Sequence, residues 1–201
     1  MLTIVDYGSG NLRSVQKAFE RLGTEARITS DPEAVAIASR LVLPGVGAFG
    51  DAMRELRQRG LVEPIVAHTR ADRPFLGICM GLQLLFDTGF EHGSHAGLGV
   101  LSGEVIRFEV TDHLKVPHMG WNTARWQAAW QPPDAVEHFY FVHSYHARPA
   151  DSSIIAALTD YGGDFCSAVR RGQLFATQFH PEKSQAAGLR LLGSWLESTA
   201  A

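Results

Sequence analysis

The chain has 201 residues and a mass of 22.0 kDa, with 45% apolar and 19% charged residues, which is a globular composition and excludes a disordered chain. Its formal charge of -3 offers no cationic field to a phosphate backbone, so we expect no nucleic acid partner. No run of apolar residues is long enough to cross a membrane, so we expect no membrane partner either.

The cysteine content and the N-terminus both bear on the compartment. The two cysteines, Cys79 and Cys166, are too few for a disulfide framework or a structural zinc site. Asp6 interrupts the first apolar run, which argues against a signal peptide. We therefore predict a cytoplasmic protein in which a thiol can have a chemical role.

Strand and helix patterns alternate in the first half of the chain. Short apolar runs predict strands over residues 2–5, 27–28, 41–43 and 75–78. Helical spacing or capping signals predict helices over residues 12–22, from residue 31 onward, over 49–59 and over 80–86. Such alternation is typical of a parallel sheet covered by helices on both faces.

The second half has closely spaced strand patterns instead. We predict strands over residues 105–110, 139–142, 154–158, 167–170 and 175–179, and a last helix over 188–196. No linker or repeat divides the chain. The expected fold is α/β: one domain over residues 1–201, with a mixed, mainly parallel sheet, helices on both faces and antiparallel additions in the C-terminal half.

A cysteine between two glycines occurs where the strand over residues 75–78 passes into a helix. Gly77, Cys79 and Gly81 form the cysteine analogue of the G-x-S-x-G nucleophile elbow, in which the turn leaves no room for flanking side chains. The positive end of the helix favours a thiolate. A lone cysteine is more often a small buried residue, but the paired glycines favour a nucleophile.

A thiol nucleophile requires a base, and His180 is the best of nine histidines. It follows a predicted strand, so it reaches the same sheet edge as Cys79, and Glu182 two residues later can orient its ring. His143 and His146 are rivals without a suitably spaced acid. We predict a triad of Cys79, His180 and Glu182.

A glycine turn follows the strand over residues 41–43 and offers backbone N–H groups. Such turns are common loops, but beside the other motifs we predict that the N–H groups of Val46 and Met80 form an oxyanion hole.

Sequence signals for a cofactor or a metal are incomplete. Gly8-Ser9-Gly10 lacks the third glycine of a dinucleotide-binding fingerprint, because Arg13 occupies that position, and no metal-ligand cluster occurs. We expect neither a cofactor nor a metal.

Six segments carry a resemblance that spans nearly the whole chain. They are DYGSGN from Asp6, LPGVGAFGDAM from Leu43, GICMGLQLLF from Gly77, VPHMGWN from Val116, YFVHSYH from Tyr140 and ATQFHPEKSQ from Ala176. With them the chain resembles class I, triad-type glutamine amidotransferases, and is closely similar to the glutaminase subunits of imidazole glycerol phosphate synthase. The elbow and His-Pro-Glu mark the superfamily, whereas PGVGAF, PHMGWN and the KSQ ending are more specific to this branch.

The resemblance implies further site residues and a partner. Gly47, Gln83, Ser144 and Tyr145 match positions that bind the substrate L-glutamine. Asn11, Trp121, Tyr140 and Lys183 match or adjoin positions at the interface with a separate cyclase subunit, with which the family forms a heterodimer and to which it channels ammonia. Met80-Gly81-Leu82 departs from the family's more frequent leucine and methionine order, which is a nearly volume-conserving exchange.

Two alternatives remain open at this point. The triad does not identify the acceptor of the ammonia, so the chain could be the glutaminase subunit of another synthase, such as the pyridoxal phosphate synthase, although PHMGWN and PGVGAF argue against it. From a different class, it could be a non-catalytic Rossmann-like binding module with a structural cysteine.

Overall fold

A computed structural model describes residues 1–109, 114–127 and 136–199. The strands of this part form one sheet. They are β1 (Leu2–Val5), β2 (Ala26–Thr29), β3 (Arg40–Gly45), β4 (Phe75–Cys79), β5 (Phe86–Gly89), β6 (His95–Ala96), β7 (Leu101–Arg107), β8 (His118–Trp126), β9 (Val136–His143), β10 (Tyr145–Pro149), β11 (Ile155–Asp160), β12 (Asp164–Arg171) and β13 (Leu174–Thr177).

The α-helices of the same residues lie mostly in the first half of the chain. They are α1 (Leu12–Arg21), α2 (Pro32–Ala36), α3 (Phe49–Gln58), α4 (Val62–Arg70), α5 (Met80–Gln83) and α6 (Gln185–Ser198). Short 3-10 helices span Ser152–Ile154 and Pro181–Lys183. No helix in the described ranges is long and apolar enough to cross a membrane.

The parallel part of the sheet has the order β2-β1-β3-β4-β13. Gly45 at the end of β3 lies opposite Cys79 at the end of β4, and Thr177 of β13 lies opposite Ile78. Parallel strands end at a common edge. The segments that follow β3, β4 and β13 therefore meet at one edge of the sheet.

Antiparallel strands extend the sheet beyond β13. β12 pairs antiparallel with β13 on one side and with β10 on the other, and β7 pairs antiparallel with β10. β11, β8 and β9 branch from β12 as further antiparallel strands. The predicted antiparallel additions in the C-terminal half are confirmed.

Helices cover both faces of the parallel part, and alternation along β3 illustrates this. Leu41 and Leu43 belong to the hydrophobic core that includes residues of α3 and α4. Val42 belongs to the opposite core, where Phe19 of α1 and Trp195 of α6 pack with ring centroids 5.9 Å apart. The α/β class with helices on both faces is confirmed.

The predicted helix over residues 80–86 is wrong in length. α5 ends at Gln83, and Phe86 begins β5. The carbonyl groups of Leu84, Leu85 and Phe86 accept hydrogen bonds from residues 98–101. The N–H of Leu85 donates to the carbonyl of Leu82 rather than of Gly81, and Phe86 pairs with Leu101 of β7. The helical hydrogen-bond pattern therefore ends here and sheet pairing takes over, although the apolar run would allow a longer helix.

Smaller differences concern strand ends and elements without a prediction. Ile154 belongs to a 3-10 helix rather than to β11, and β13 ends before Gln178 and Phe179. Val110, the predicted end of a strand, lies outside the described residues. The sequence patterns did not predict α4, β5, β6, β8 or β10.

Candidate functional site

Cys79 occupies a sharp turn between β4 and α5. Its backbone has φ 55° and ψ -106°, a conformation that non-glycine residues rarely adopt and that costs about 1–3 kcal/mol. A Cβ on Gly81 would overlap the carbonyl oxygen of Leu43, and a Cβ on Gly77 would lie 2.8 Å from the carbonyl oxygen of Gly81. Both flanking glycines are therefore required for this turn.

His180 and Glu182 follow β13 at the same edge. His180 Nδ1 lies 2.8 Å from Glu182 Oε1, and the two side chains are almost fully buried. The backbone N–H of His180 donates to the carbonyl of Tyr140, and the Ser184 hydroxyl donates to the carbonyl of His180. These bonds hold the segment that carries both side chains.

The electrostatic surroundings of His180 favour a charged ring. Burial lowers its pKa, but the charge of Cys79, a contact with the Cys79 side chain and the Glu182 carboxylate outweigh this and raise the pKa to about 10. Nδ1 is engaged by Glu182, and Nε2 is buried without a conventional hydrogen bond in the described part of the chain. Nε2 is therefore the ring nitrogen available to the sulfur and to a leaving group.

The glycine turn after β3 lies beside Cys79. A Cβ on Gly45 would overlap the Tyr7 hydroxyl, and Gly47 has φ 100°. The Ser9 hydroxyl donates to the Val46 carbonyl at 2.6 Å, which ties the turn to the loop after β1. These contacts leave little room for side chains but permit peptide rotation at the glycines.

A cavity of about 300 Å³ opens at this edge. Its walls include Cys79, both predicted oxyanion residues and every predicted glutamine-binding residue. Besides Cys79, the residues that line the cavity are Val46, Gly47, Met80, Gln83, Glu91, Pro117, Val142, His143, Ser144 and Tyr145. The predicted oxyanion and glutamine-binding residues thus line one cavity with Cys79, whereas His180 and Glu182 are not among its lining residues.

The sequence analysis missed Glu91, which supplies a carboxylate to the cavity wall. Its Oε2 accepts a hydrogen bond from the backbone N–H of Phe49 at 2.7 Å, at the start of α3. That contact fixes a negative charge next to the glycine turn. A lone acidic residue in a loop carries no spacing signal that could have identified it.

The rival histidines make other contacts. His143 Nδ1 lies 2.8 Å from the carbonyl of Tyr145, and His143 Nε2 lies 3.0 Å from His118 Nδ1. Burial lowers the pKa of His143 to about 3 and also lowers the pKa of His146. Both histidines favour the neutral form.

Three of the four predicted interface residues lie close together on the surface. Trp121 of β8 is 48% exposed, and its ring centroid lies 6.2 Å from that of Tyr140. Lys183 Nζ lies 5.9 Å from the centroid of the Tyr140 ring. Asn11 precedes α1 and accepts a hydrogen bond from the hydroxyl of Ser14, which shares a surface cleft with Glu182.

A thiol on a strained strand-to-helix turn, a buried His-Glu pair and a neighbouring turn of backbone donors define a cysteine-dependent amidohydrolase with an α/β fold. Residues 3–192 match the model of the family described as glutamine amidotransferase class-I, and the chain belongs to this family.

Named relatives are similar over nearly their whole length. The chain is 61% identical over 194 residues to the imidazole glycerol phosphate synthase subunit HisH of Rhodopirellula baltica, covering 96% of this chain and 95% of the relative. It is 52% identical over 206 residues to the HisH subunit of Geobacter sulfurreducens, covering 98% of each chain.

Solved structures share the fold. A structure titled as a crystal structure of glutamine amidotransferase has a TM-score of 0.77 at 22% identity and covers 99% of both chains. The structure of PurLQS from Thermotoga maritima has a TM-score of 0.73 at 16% identity, covering 99% of this chain and 98% of the other.

Proposed function

We propose that the chain is the glutaminase subunit of imidazole glycerol phosphate synthase and releases ammonia from glutamine for histidine biosynthesis. The observation that carries the proposal is the buried His180–Glu182 pair in contact with Cys79, and Cys79 itself lines the cavity. Close similarity to the HisH subunits of two bacteria supports the branch. The whole chain, residues 1–201, acts as one domain in this proposal.

The reaction begins when the Cys79 thiolate attacks the side-chain amide carbon of glutamine. His180, protonated at Nε2, gives that proton to the departing nitrogen, and the C–N bond breaks to release ammonia. The product on the enzyme is a glutamyl thioester. Water then attacks the thioester carbon, His180 accepts a proton from this water, and the C–S bond breaks to yield glutamate and the thiolate.

Charge on the carbonyl oxygen requires donors in both steps. The N–H of Met80 at the start of α5 and the N–H of Val46 in the glycine turn are the proposed donors. One missing donor of this kind costs about a hundred- to thousandfold in rate.

The cavity has groups suited to an amino acid. The Glu91 carboxylate is the proposed partner of the α-ammonium group of glutamine, since it is an anion in the cavity wall. Gly47, Gln83, Ser144 and Tyr145 hold the rest of the substrate. This arrangement selects a ligand with an ammonium group at one end and an amide at the other.

The released ammonia requires an acceptor, because in bulk water it is protonated and lost. The proposed partner is the cyclase subunit of imidazole glycerol phosphate synthase, in a heterodimer with its interface at Asn11, Trp121, Tyr140 and Lys183. The proposed location is the cytoplasm, where free thiols such as Cys79 and Cys166 remain reduced.

The test is ammonia release from glutamine, measured with and without the cyclase subunit and its nucleotide ligand. Cys79→Ala is expected to lower the rate by about 10⁴-fold or more, because no other group can form the thioester. Cys166→Ala is the matched control, since this second buried cysteine lies on β12 away from the cavity, and it is expected to retain activity. Near-normal activity in Cys79→Ala would remove the proposed nucleophile.

A further inference from the structure

Gln178 is a fully buried polar side chain next to the proposed nucleophile. It follows β13, two residues before His180, and its Nε2 lies 3.7 Å from Cys79 Sγ. This is a normal distance for a hydrogen bond from an amide to sulfur. The mechanism above does not use this residue.

A second amide fixes which way Gln178 points. Gln83 Nε2 donates to the carbonyl of Tyr145 at 2.8 Å and to Gln178 Oε1 at 3.0 Å. Both protons of the Gln83 amide are thus engaged, because the first acceptor is a backbone carbonyl and cannot donate. Gln178 must present its oxygen to Gln83 and its N–H to the sulfur.

The Tyr145 carbonyl is itself held from the other side. It accepts a hydrogen bond from His143 Nδ1, which therefore carries the proton, and His143 Nε2 is left as an acceptor for His118 Nδ1. Asn122 Nδ2 in turn lies 3.2 Å from His118 Nε2. In each of these hydrogen bonds only one assignment of donor and acceptor is possible. The donors and acceptors therefore cannot exchange roles while these histidines are neutral.

We propose that Gln178 is a positioning residue that holds Cys79 in the thiolate state, and that Gln83 sets this role by fixing the orientation of the Gln178 amide. An N–H directed at sulfur stabilises the charged acceptor, whereas an amide oxygen in its place would repel it. Since Gln83 also lines the cavity, the residue that contacts glutamine is linked to the nucleophile through one amide. The inference rests on the proposed function in taking Cys79 as the nucleophile.

Other charged or titratable groups also surround the sulfur. His180 and its partner Glu182 come from the segment after β13, and the Tyr7 hydroxyl comes from the segment after β1. Burial, and secondarily the charge of Cys79, raise the pKa of Tyr7, which keeps its phenol neutral. His143 and Glu91 line the cavity. Substitutions at Gln178 leave all of these groups in the chain.

The experiment measures the rate of Cys79 alkylation by iodoacetamide as a function of pH, in full-length chains without glutamine and with Cys166 replaced by alanine. Gln178→Met removes the donor at similar side-chain size. We expect the midpoint of the pH profile to rise by about one pH unit, which is about tenfold slower alkylation below the midpoint.

Thr177→Val is the matched control. Its hydroxyl is also fully buried and hydrogen-bonded, but to the carbonyl of Phe179 rather than to the sulfur. It is expected to change stability without moving the midpoint. An unchanged or lower midpoint in folded Gln178→Met would overturn the proposal.

The two proposals fail in different ways. Alkylation needs no glutamine, so the role of Gln178 is judged by the pH profile, whereas the nucleophile is judged by ammonia release from Cys79→Ala. If Gln178→Met leaves the pH profile of alkylation unchanged and Cys79→Ala is inactive, only the role of Gln178 is refuted. Full ammonia release by Cys79→Ala would refute the proposed function.

Discussion

His180 and Glu182 have side chains that are only 2% and 1% exposed, so their neighbours rather than solvent determine their charge. Burial opposes the imidazolium, but Cys79 and Glu182 reverse this and raise the pKa of His180. A protonated ring next to a thiolate is the state that can deliver a proton to a departing amine. Glu182 contributes by holding the ring and stabilising its charge.

This division of roles predicts unequal losses in ammonia release. His180→Ala removes the proton donor and is expected to cost nearly as much as Cys79→Ala. Glu182→Gln keeps an acceptor near Nδ1 but removes the charge, so we expect a loss about a hundredfold less severe. It should also lower the pKa of His180, which shifts the pH–rate profile. Equal losses in kcat for both variants would mean that Glu182 has a larger role.

The sequence predicts the triad residues because each stands in a short motif with a steric reason. The glycines around Cys79 and the proline between His180 and Glu182 are visible without a structure. Gln178 and Glu91 have no such pattern, since one is a polar residue among buried ones and the other lies in a loop. Only the fold brings the Gln178 side chain to the Cys79 sulfur and the Glu91 side chain to the cavity wall.

At the scale of elements, strands that end at the site were easier to predict than those around it. β1, β3 and β4 are buried apolar runs with a clear start and stop. β8 and β10 contain glycine, proline, arginine and histidine, and pairing with neighbouring strands decides their structure. α4 has a proline in its first turn and buries His68 and Thr69, so its apolar spacing is irregular.

The glycine turn after β3 is predicted to act as a switch. Glycine on both sides of Val46 permits its N–H to rotate, whereas the turn at Cys79 is fixed by β4 and α5. We expect the Val46 N–H to point away from the oxyanion position without the cyclase, and the cyclase with its ligand to stimulate hydrolysis about a hundred- to thousandfold. High activity of the isolated chain, or a partner-free structure with this N–H aimed at the site, would contradict the switch.

The Ser9 tether offers a way to test the switch. The Val46 carbonyl belongs to the peptide adjacent to the one that carries the Val46 N–H, so the bond from Ser9 restrains the turn from one side. Ser9→Ala is expected to raise the unstimulated rate about fivefold, the equivalent of about 1 kcal/mol. The stimulated rate should stay within about twofold. Ser39→Ala, which removes an exposed hydroxyl that is hydrogen-bonded to Met1 far from the glycine turn, should change neither rate.

At the scale of the whole molecule, buried neutral histidines make the fold sensitive to acid. Burial lowers the pKa of His118 to about 4 and that of His143 to about 3, whereas both are near 6.5 in an unfolded chain. Between pH 6.5 and 4 the unfolded chain therefore binds protons that the folded chain does not. His180 has the opposite shift, so its contribution is lost only as the pH rises toward 10.

The free energy of unfolding is accordingly expected to fall on acidification from pH 6.5 to 5, approaching about 1.4 kcal/mol per pH unit for each such histidine. His118→Phe keeps a ring between Phe141 and Tyr161 but cannot titrate, so its acid slope should be shallower. Urea unfolding at several pH values measures this. Exposed His138→Gln is the control, and an unchanged slope in His118→Phe would count against the assignment.

Trp121, Tyr140 and Lys183 form one continuous surface of the molecule. Its aromatic rings and the lysine ammonium are contiguous, and Met119 on the same strand is 62% exposed. Exposed tryptophan beside a cation and a tyrosine is typical of binding hot spots, in which a ring becomes a buried anchor. This surface adjoins the segment that carries His180, so docking here can also affect hydrolysis.

Trp121→Ala is therefore expected to weaken binding of the cyclase by about 2 kcal/mol or more, roughly thirtyfold in Kd, because it removes the anchor. Lys183→Ala should weaken binding less but reduce stimulation of glutaminase, since its side chain follows Glu182 directly. Calorimetric titration and ammonia release with the cyclase measure the two effects separately. Ile37→Ala removes a 79% exposed apolar side chain at the end of α2 and should change neither. Unaltered affinity and stimulation in both test variants would locate the interface elsewhere on the chain.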